Sequence, residues 1–367
     1  MPPNTKLQRI QITQVRNLRR VKLDELGSVN VFFGANGSGK TSVLEAVHLL
    51  GMARSFRGTT RSLITHGEKS CTVFGEIQPA GISIGVNRST DGTAQLKLAG
   101  ESVRTVSALA TNLPLQVIAA DSFDLLTGSP GRRRQFLDWG VFHVEHTFFP
   151  AWQRYQRALK QRNILLRRGK LTDSQLAVWD REICESGEVL TGCRERYFDV
   201  FVPLFLNCLE KIAPMLMGME LRLRHGWERG LSLREALVKC KQADVEQGYT
   251  HVGPQRADIS VLIDGRPAAE VLSRGQQKLV ICSMKLAQGQ LFSQTGEVNC
   301  TYLIDDLPSE LDRNHANLVC ESLAGMVNTQ IFISCVEAND IIRIQPERWK
   351  QKLKMFHVEQ GHVVPSV

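Results

Sequence analysis

Eight consecutive residues carry the clearest chemistry in the chain. Gly34, Ala35, Asn36, Gly37, Ser38, Gly39, Lys40 and Thr41 fit G-x-x-x-x-G-K-[ST] at every fixed position. The glycines let backbone N–H groups converge on phosphate oxygens without Cβ clashes, and a helix start adds its partial positive charge. Lys40 is long enough to reach β- and γ-phosphates, and the Thr41 hydroxyl suits Mg2+. A loop of this kind needs an acidic partner on a neighbouring strand. Thr301-Tyr-Leu-Ile-Asp305-Asp306, an apolar run ending in two carboxylates, supplies one. Asp305 is expected to hold Mg2+, directly or through water, and Asp306 to orient or activate an attacking water. Lys40 and Asp306 are therefore the candidate catalytic pair.

A second stretch, VLSRGQQKLV (271–280), reads first as a capped amphipathic helix with Ser273 at the N-cap. The cap does not explain Gly275, which sits where a better helix former would stabilise the first turn. A helix N-terminus bearing a hydroxyl and a residue without a side chain is suited to close approach by a phosphate.

The elements that must position these groups follow from periodicity. LQRIQIT, RRVKLD and VNVFFG within residues 7–34 read as strands, the last running into the loop, with the helical VLEAVHLLGMA after it. Residues 70–106 read as antiparallel strands with turns at Asp91-Gly92 and Ala99-Gly100, and LPLQVIAA (113–120) as a short buried strand. From about 122 to 245 the pattern is mainly helical. After Pro150, Trp152, Tyr155, Leu159 and Leu166 share one face at about 100° per residue, with Arg154, Arg157, Lys160, Arg167 and Arg168 on the other. The aromatic residues Trp139, Phe142, Trp152 and Tyr155 read as core rather than as stacking platforms. Strand character returns at 250–264, IDGRP reads as a hairpin turn, and NCTYLIDD, a helix around 313–326 and TQIFISCV resume the αβ alternation. A helical region inserted into a split α/β domain accounts for this: 1–121 as the first lobe, 122–248 as a basic helical arm, 249–367 as the second lobe. No run carries heptads enough for a long coiled coil.

Composition narrows the function classes. Of 367 residues, 43% are hydrophobic and 22% charged, ordinary for a soluble globular protein, and no apolar run is long enough to span a membrane. The opening MPPNTKLQRIQITQVRNLRR has no apolar signal core, and nine scattered cysteines form no CxxC pair, so a reduced, cytoplasmic protein is expected. The net charge is +8, and Pro130–Lys170 alone holds ten Lys/Arg against Asp138 and Glu145. Such a local excess points to a polyanion. Arg132, Arg133, Arg134, Arg154, Arg157 and Lys160 are the candidate contacts, a well-solvated helix face being the other reading of this segment; for DNA, which the family resemblance given below implies, they would act on phosphates rather than read bases.

The order of motifs is itself informative. A phosphate loop at 34–41, LSRGQQK at 272–278, LIDD at 303–306 and Ser309-Glu-Leu-Asp312 resembles the ABC-type ATPases. That resemblance implies ATP with Mg2+ as the ligands, and a signature segment (Ser273, Arg274, Gly275, Gln276) lying over ATP held by a second subunit. Ser309 and Asp312 would form the D-loop. With RSFRG (54–58), RRQFLDWGVFHVE (133–145) and HVGPQRADI (251–259), the chain is similar throughout to the RecF family. This implies an ABC-type P-loop ATPase head with a helical insertion, forming an ATP-dependent homodimer. It also implies binding of gapped DNA, both double- and single-stranded, and slow ATP hydrolysis. The functional partners would be RecR, RecO and RecA, in recombinational repair, replication restart and the SOS response.

Three departures from the ABC pattern stand out. IFISCVEAND offers Ser334, Cys335 and Asn339 but no switch histidine; Asp306 is shorter than the usual Glu; and the candidate Q-loop residue, Gln116, lies in a strand-like run. His251, Arg256, Arg54 and Arg57 are further candidates for nucleotide or DNA contact. Two other readings of the loop are an ABC subunit driving a membrane transporter, which calls for a membrane-partner surface, and a small-molecule kinase, which leaves LSRGQQK and SELD without a role.

Overall fold

Alternation in the first strands and continuous apolar runs in the later ones build two different sheets. The chain, studied as a computed structural model, is described at residues 5–168, 173–295 and 298–366. In the first sheet, β1 (Lys6–Val15), β2 (Leu18–Leu23), β4 (Ser70–Gln78), β5 (Ile82–Ser89), β6 (Ala94–Leu98) and β7 (Glu101–Val103) pair antiparallel in the order β2-β1-β4-β5-β6-β7. The turns at Asp91-Gly92 and Ala99-Gly100 fall between β5, β6 and β7 as read. The second sheet holds β3 (Val29–Phe33), β8 (Leu115–Ile118), β12 (Cys300–Ile304), β13 (Thr329–Cys335), β14 (Leu353–Glu359) and β15 (His362–Ser366). Its order is β15-β14-β3-β13-β12-β8, parallel except for the β14–β15 hairpin. Strands such as CTYLI are buried along their whole length, as parallel strands covered on both faces must be.

The helix Lys40–Met52 follows β3, and from Lys40 to Gly51 only Thr41 escapes full burial. A helix enclosed on nearly all sides needs apolar residues all round, and VLEAVHLL provides them. Val43, Val47 and Leu50 from this helix share one core with Ile12 and Val73 of the first sheet and Phe32, Leu303 and Phe332 of the second. The loop of glycines is thus fixed between a buried strand and a buried helix.

The chain divides into two units: Met1–Ser122 with Cys208–Met215 and Lys278–Val367, and Phe123–Asn207 with Leu216–Gln277. The second unit contains the helices Pro130–Val144, Phe148–Arg168 and Leu233–Gln247, most of Asp173–Ile212, and a small sheet. That sheet has the order β11-β10-β9, from β9 (Met219–Arg224), β10 (Asp258–Ile263) and β11 (Arg266–Pro267). The boundary read at residue 248 therefore moves. β10 pairs with β9 from Asp258↔Arg224 to Ile263↔Met219, which keeps 249–277 with the helical region. β9 was masked in the sequence by helices on both sides.

On Phe148–Arg168 the exposed face is the basic one: Arg154, Arg157, Lys160, Arg167 and Arg168 are all exposed. Arg162 is the exception, fully buried, with Nε 2.6 Å from Asp180 and Nη1 2.6 Å from Asp244. Tyr155 is buried, while Trp139, Phe142 and Trp152 are half-buried, with Phe149 stacked on Trp152. All nine cysteines are free, and among the described residues no helix is long and apolar enough to cross a membrane.

Candidate nucleotide site

The loop after β3 needs glycine for stated reasons. Gly34 has φ 151° and donates its N–H to Val336 O at 3.1 Å; a Cβ there would lie 2.2 Å from Val358 O. Gly39 has φ 122°, and a Cβ would press on the Asn17 amide at 3.0 Å. The helix then starts at Lys40, whose Nζ donates to Gly34 O (2.8 Å) and Ala35 O (2.9 Å). The ammonium is thus held across the loop.

The two acids arrive from β12. Thr41 Oγ1 donates to Asp305 Oδ1 at 2.8 Å, so the two Mg2+ candidates are already in contact. Ser334 at the end of β13 donates to the same Asp305 oxygen at 2.7 Å and accepts the Asp306 N–H at 2.9 Å. Asp306 itself is in the left-handed region, φ 56° and ψ 45°. These groups line a cavity of about 390 Å3, together with Asn36, Gly37, Arg57 and Glu310. Ser38 Oγ is buried with no hydrogen-bond partner among the described residues.

These features fit a polyphosphate with a hard divalent cation. Lys40 and the loop N–H groups would be the donors for phosphate oxygens, and the buried Ser38 hydroxyl, without a partner among the described residues, has a proton to give. The Thr41 hydroxyl and Asp305 carboxylate are oxygen groups of the kind that would hold Mg2+. Among the described residues there is no cluster of three or more His, Cys, Asp and Glu that could hold a metal ion.

A support behind the loop escaped the sequence reading. Ser38 O accepts from Asn17 Nδ2 (2.9 Å) and from Gly361 N–H (2.8 Å), and Asn17 Oδ1 accepts from Ser42 Oγ at 2.9 Å. The β1–β2 and β14–β15 turns therefore clamp the loop from outside. Beside Asn17, Arg16 forms a two-point pair with Glu45 (2.8 and 3.0 Å), and Ser55 Oγ donates to the same carboxylate. Ser55 also accepts from Arg57 N–H at 3.0 Å, so this network sets the segment that brings Arg57 to the cavity. His48 Nδ1 donates to Arg54 O at 2.7 Å, and burial pushes the His48 imidazole down to about 4. The only sequence trace of this support is the Arg16-Asn17 pair at a turn.

Ser273 caps the helix Arg274–Thr295 reciprocally: its Oγ accepts from Gln276 N–H (3.3 Å), and its own N–H donates to Gln276 Oε1 (3.0 Å). Ser273, Arg274 and Gly275 are exposed, and a Cβ on Gly275 would meet nothing within 4 Å. Lys278 pairs with Glu310 at 2.8 Å, tying this helix to the segment after Asp306. In that segment Ser309 Oγ donates to Asp306 O at 3.1 Å, and Asp312 caps the helix Arg313–Ala324 through the N–H groups of Asn314 and His315.

Several candidates have other work. Gln116 is buried in β8, donating to Gln288 at 2.7 Å, away from the cavity. His251 bonds Asp244 and Gln247, and Arg256 lies over the Tyr249 ring. Arg133 forms a two-point pair with Asp258 (2.7 and 3.0 Å), and Arg134 donates to Ala257 O at 2.8 Å. Arg132 is exposed, 3.4 Å from Asp124, and Arg154 pairs with Glu182 at 2.7 Å. Arg157 and Lys160 are exposed, while Lys170 lies outside the described residues.

Comparison with known proteins identifies the family. The RecF/RecN/SMC N-terminal domain family matches residues 6–363. The DNA replication and repair protein RecF of Pseudomonas putida (strain KT2440) is 47% identical over 366 residues, covering 98% of each chain. That of Pseudomonas syringae pv. syringae (strain B728a) is 45% identical, with the same coverage. A solved structure of the recombination mediator protein RecF with ATP, from the RecFOR pathway, has TM-score 0.86 at 24% identity over 100% of this chain and 99% of that one. An Smc head domain from Pyrococcus furiosus has TM-score 0.57 at 16% identity, over 99% and 96% of the two chains. The chain therefore belongs to the RecF family, built on the ABC-type ATPase head that this family shares with the SMC proteins.

Proposed function

We propose that the chain is an ATP-switched DNA-binding protein of recombinational repair and replication restart. It dimerises on ATP, binds gapped DNA and, with RecR and RecO, helps RecA onto single strands; slow hydrolysis resets it. The observation that carries the nucleotide reading is the contact of Thr41 with Asp305 in a cavity lined by the loop residues Asn36, Gly37, Gly39 and Lys40.

The residues divide the work. Lys40 and the loop N–H groups hold the β- and γ-phosphates, and Thr41 with Asp305 would hold Mg2+, which neutralises phosphate charge when bound. Asp306 orients a water whose oxygen forms a bond to the γ-phosphorus as the bond to the ADP oxygen breaks. The water's proton passes to the carboxylate and on to the released phosphate. Ser273, Arg274, Gly275 and Gln276 serve the ATP of a second copy, with Ser309 and Asp312 in the adjoining D-loop. The exposure of Ser273, Arg274, Gly275, Ser309 and Asp312, and the open space at Gly275, support a role outside their own chain.

For DNA, the exposed cations Arg157, Lys160, Arg167 and Arg168 fall within a stripe of about 100° on one helix, which suits a run of phosphates. Arg132 and Arg154, exposed and each paired with an acid at the surface, are further candidates, while Arg133 and Arg134 brace the unit from within.

Light scattering with and without ATP, with gapped-duplex binding over a salt series in the same samples, tests the reading. A dimer only with ATP, and affinity falling steeply with salt, are expected. A chain that stays monomeric with ATP, or binds DNA independently of salt, contradicts it.

A further inference from the structure

Resting on the ATPase reading above, we propose that Ser334 is a positioning residue that couples the cation ligand Asp305 to the water-orienting carboxylate Asp306 through a single hydroxyl. The register of the sheet sets it there. β12 and β13 run parallel with Ile304 opposite Ile333, so the next residue on each strand, Asp305 and Ser334, emerge side by side. Ser334 is 1% exposed and lines the cavity.

The direction of the two hydrogen bonds is fixed by chemistry. The Asp306 amide only donates, so Ser334 Oγ accepts there, at 2.9 Å. The one hydroxyl proton is left for Asp305 Oδ1, at 2.7 Å. The same Asp305 oxygen also accepts from Thr41. When Asp305 turns toward a cation, the hydroxyl proton must follow it or lose its acceptor, and the lone pairs facing the Asp306 amide turn with it. Asp306 is the sensitive end. It sits at φ 56°, a conformation that a non-glycine residue keeps only where its surroundings hold it. Besides the Ser334 bond, the Asp306 carbonyl accepts from Ser309 N–H and Glu310 N–H, both at 3.1 Å, and from Ser309 Oγ. The amide side is held by Ser334. Cation occupancy at Asp305 is thereby transmitted to the backbone that aims the Asp306 carboxylate. The stretch directly after β13, residues 336–345, contains no histidine, and Ser334 is the side chain of that strand that lines the cavity.

The test compares full-length S334A and S334T with the parent. The first readout is the Asp306 amide resonance, followed as Mg2+ is added with a non-hydrolysable ATP analogue. The parent and S334T are expected to shift, and S334A to shift less than about a third as far, with its nucleotide-free Asp306 amide exchanging about tenfold faster. The second is single-turnover hydrolysis: S334A slower by about tenfold or more, analogue affinity within about threefold of the parent, and S334T restoring the rate. An Asp306 amide that responds to Mg2+ equally in S334A overturns the coupling. So does hydrolysis in S334A within about twofold of the parent, or a rate loss that merely tracks lost affinity. A parent that binds the analogue yet never hydrolyses ATP contradicts the hydrolysis proposed above, and the amide readout then decides the coupling alone.

Discussion

Lys40 and three cations of the basic run, Arg133, Arg157 and Lys160, show how much a residue's chemistry depends on its partners. Among the described residues Lys40 bonds two loop carbonyls, and the loop has no carboxylate, so its charge is available to phosphate. Lys40→Ala is expected to lower ATP affinity by roughly a hundredfold while costing about 1 kcal/mol of stability, read by titration calorimetry beside a thermal melt. Arg133, Arg157 and Lys160 look alike in the sequence as members of one basic run. The structure separates them: Arg133 is spent on Asp258, far away in the chain, and the other two face solvent. Arg133→Ala should therefore cost about 2–3 kcal/mol in a thermal or urea melt and leave DNA affinity of the folded protein unchanged. The double variant of Arg157 and Lys160 to Ala should melt normally and flatten the salt dependence of gapped-duplex binding by about one unit of slope per residue. A DNA defect in the Arg133 variant with unaltered stability would reverse the assignment. The phosphate loop was legible because its chemistry is local: eight adjacent residues specify their own backbone. The partners of Arg133 and the support of Ser38 by Asn17 and Gly361 were not, because chain distance hides them.

Among the elements, the helix Arg274–Thr295 poses the sharpest question, since its first turn contains a glycine its own chain does not need. A Cβ at Gly275 meets nothing within 4 Å, so neither packing nor backbone sign requires glycine there. In an exposed helical turn glycine costs about 1 kcal/mol relative to alanine. Gly275→Asp is thus expected to fold as well as the parent and to bind ATP as a monomer. It should fail to dimerise with ATP, because a carboxylate then stands where a partner's phosphate would approach. Ser273→Ala should show a milder form, losing the cap to Gln276 N–H and about 1 kcal/mol with it. Light scattering with ATP on both variants decides this, and normal dimers from Gly275→Asp would end the proposed role in trans. Strands and helices with long periodic patterns were readable in advance. β9 was not, because six alternating residues between helices carry little signal, and its partner β10 lies more than thirty residues on, beyond a helix. That single pairing moved the unit boundary from residue 248 to Gln277.

At the scale of the whole molecule, burial of titratable groups limits the pH range in which the fold is stable. His48 in the first unit is pushed down to about 4 by burial, and His143 in the second to about 3, from an ordinary value near 6.5. Both are neutral in folded and unfolded chains at pH 7, so neither weakens the fold there. Below about pH 6.5 the unfolded chain takes up protons that the folded one refuses, and stability falls until the folded values are reached. For His48 the full loss, between about pH 6.5 and 4, is about 3 kcal/mol. The alkaline side is set by thiols. Burial raises Cys71 and Cys208 to about 11, and Cys282, Cys320 and Cys335 to about 12. Above about pH 8.5 the unfolded chain loses protons that these folded thiols keep, so stability falls again. Lys285, lowered to about 8 by burial, works the other way: the unfolded chain stays protonated up to about pH 10.5, so this one group adds stability between those values. Burial raises the Cys184 and Cys300 thiols too and lowers Lys6 as it does Lys285, and the more numerous thiols leave the alkaline slope negative. Calorimetric melting without nucleotide should thus give a plateau between about pH 6.5 and 8.5 with a fall on either side. His48→Gln, whose amide still offers a donor to Arg54 O, should flatten the acid side for the first unit alone. An acid slope unchanged by that substitution would mean that carboxylates, rather than this buried imidazole, set the lower limit.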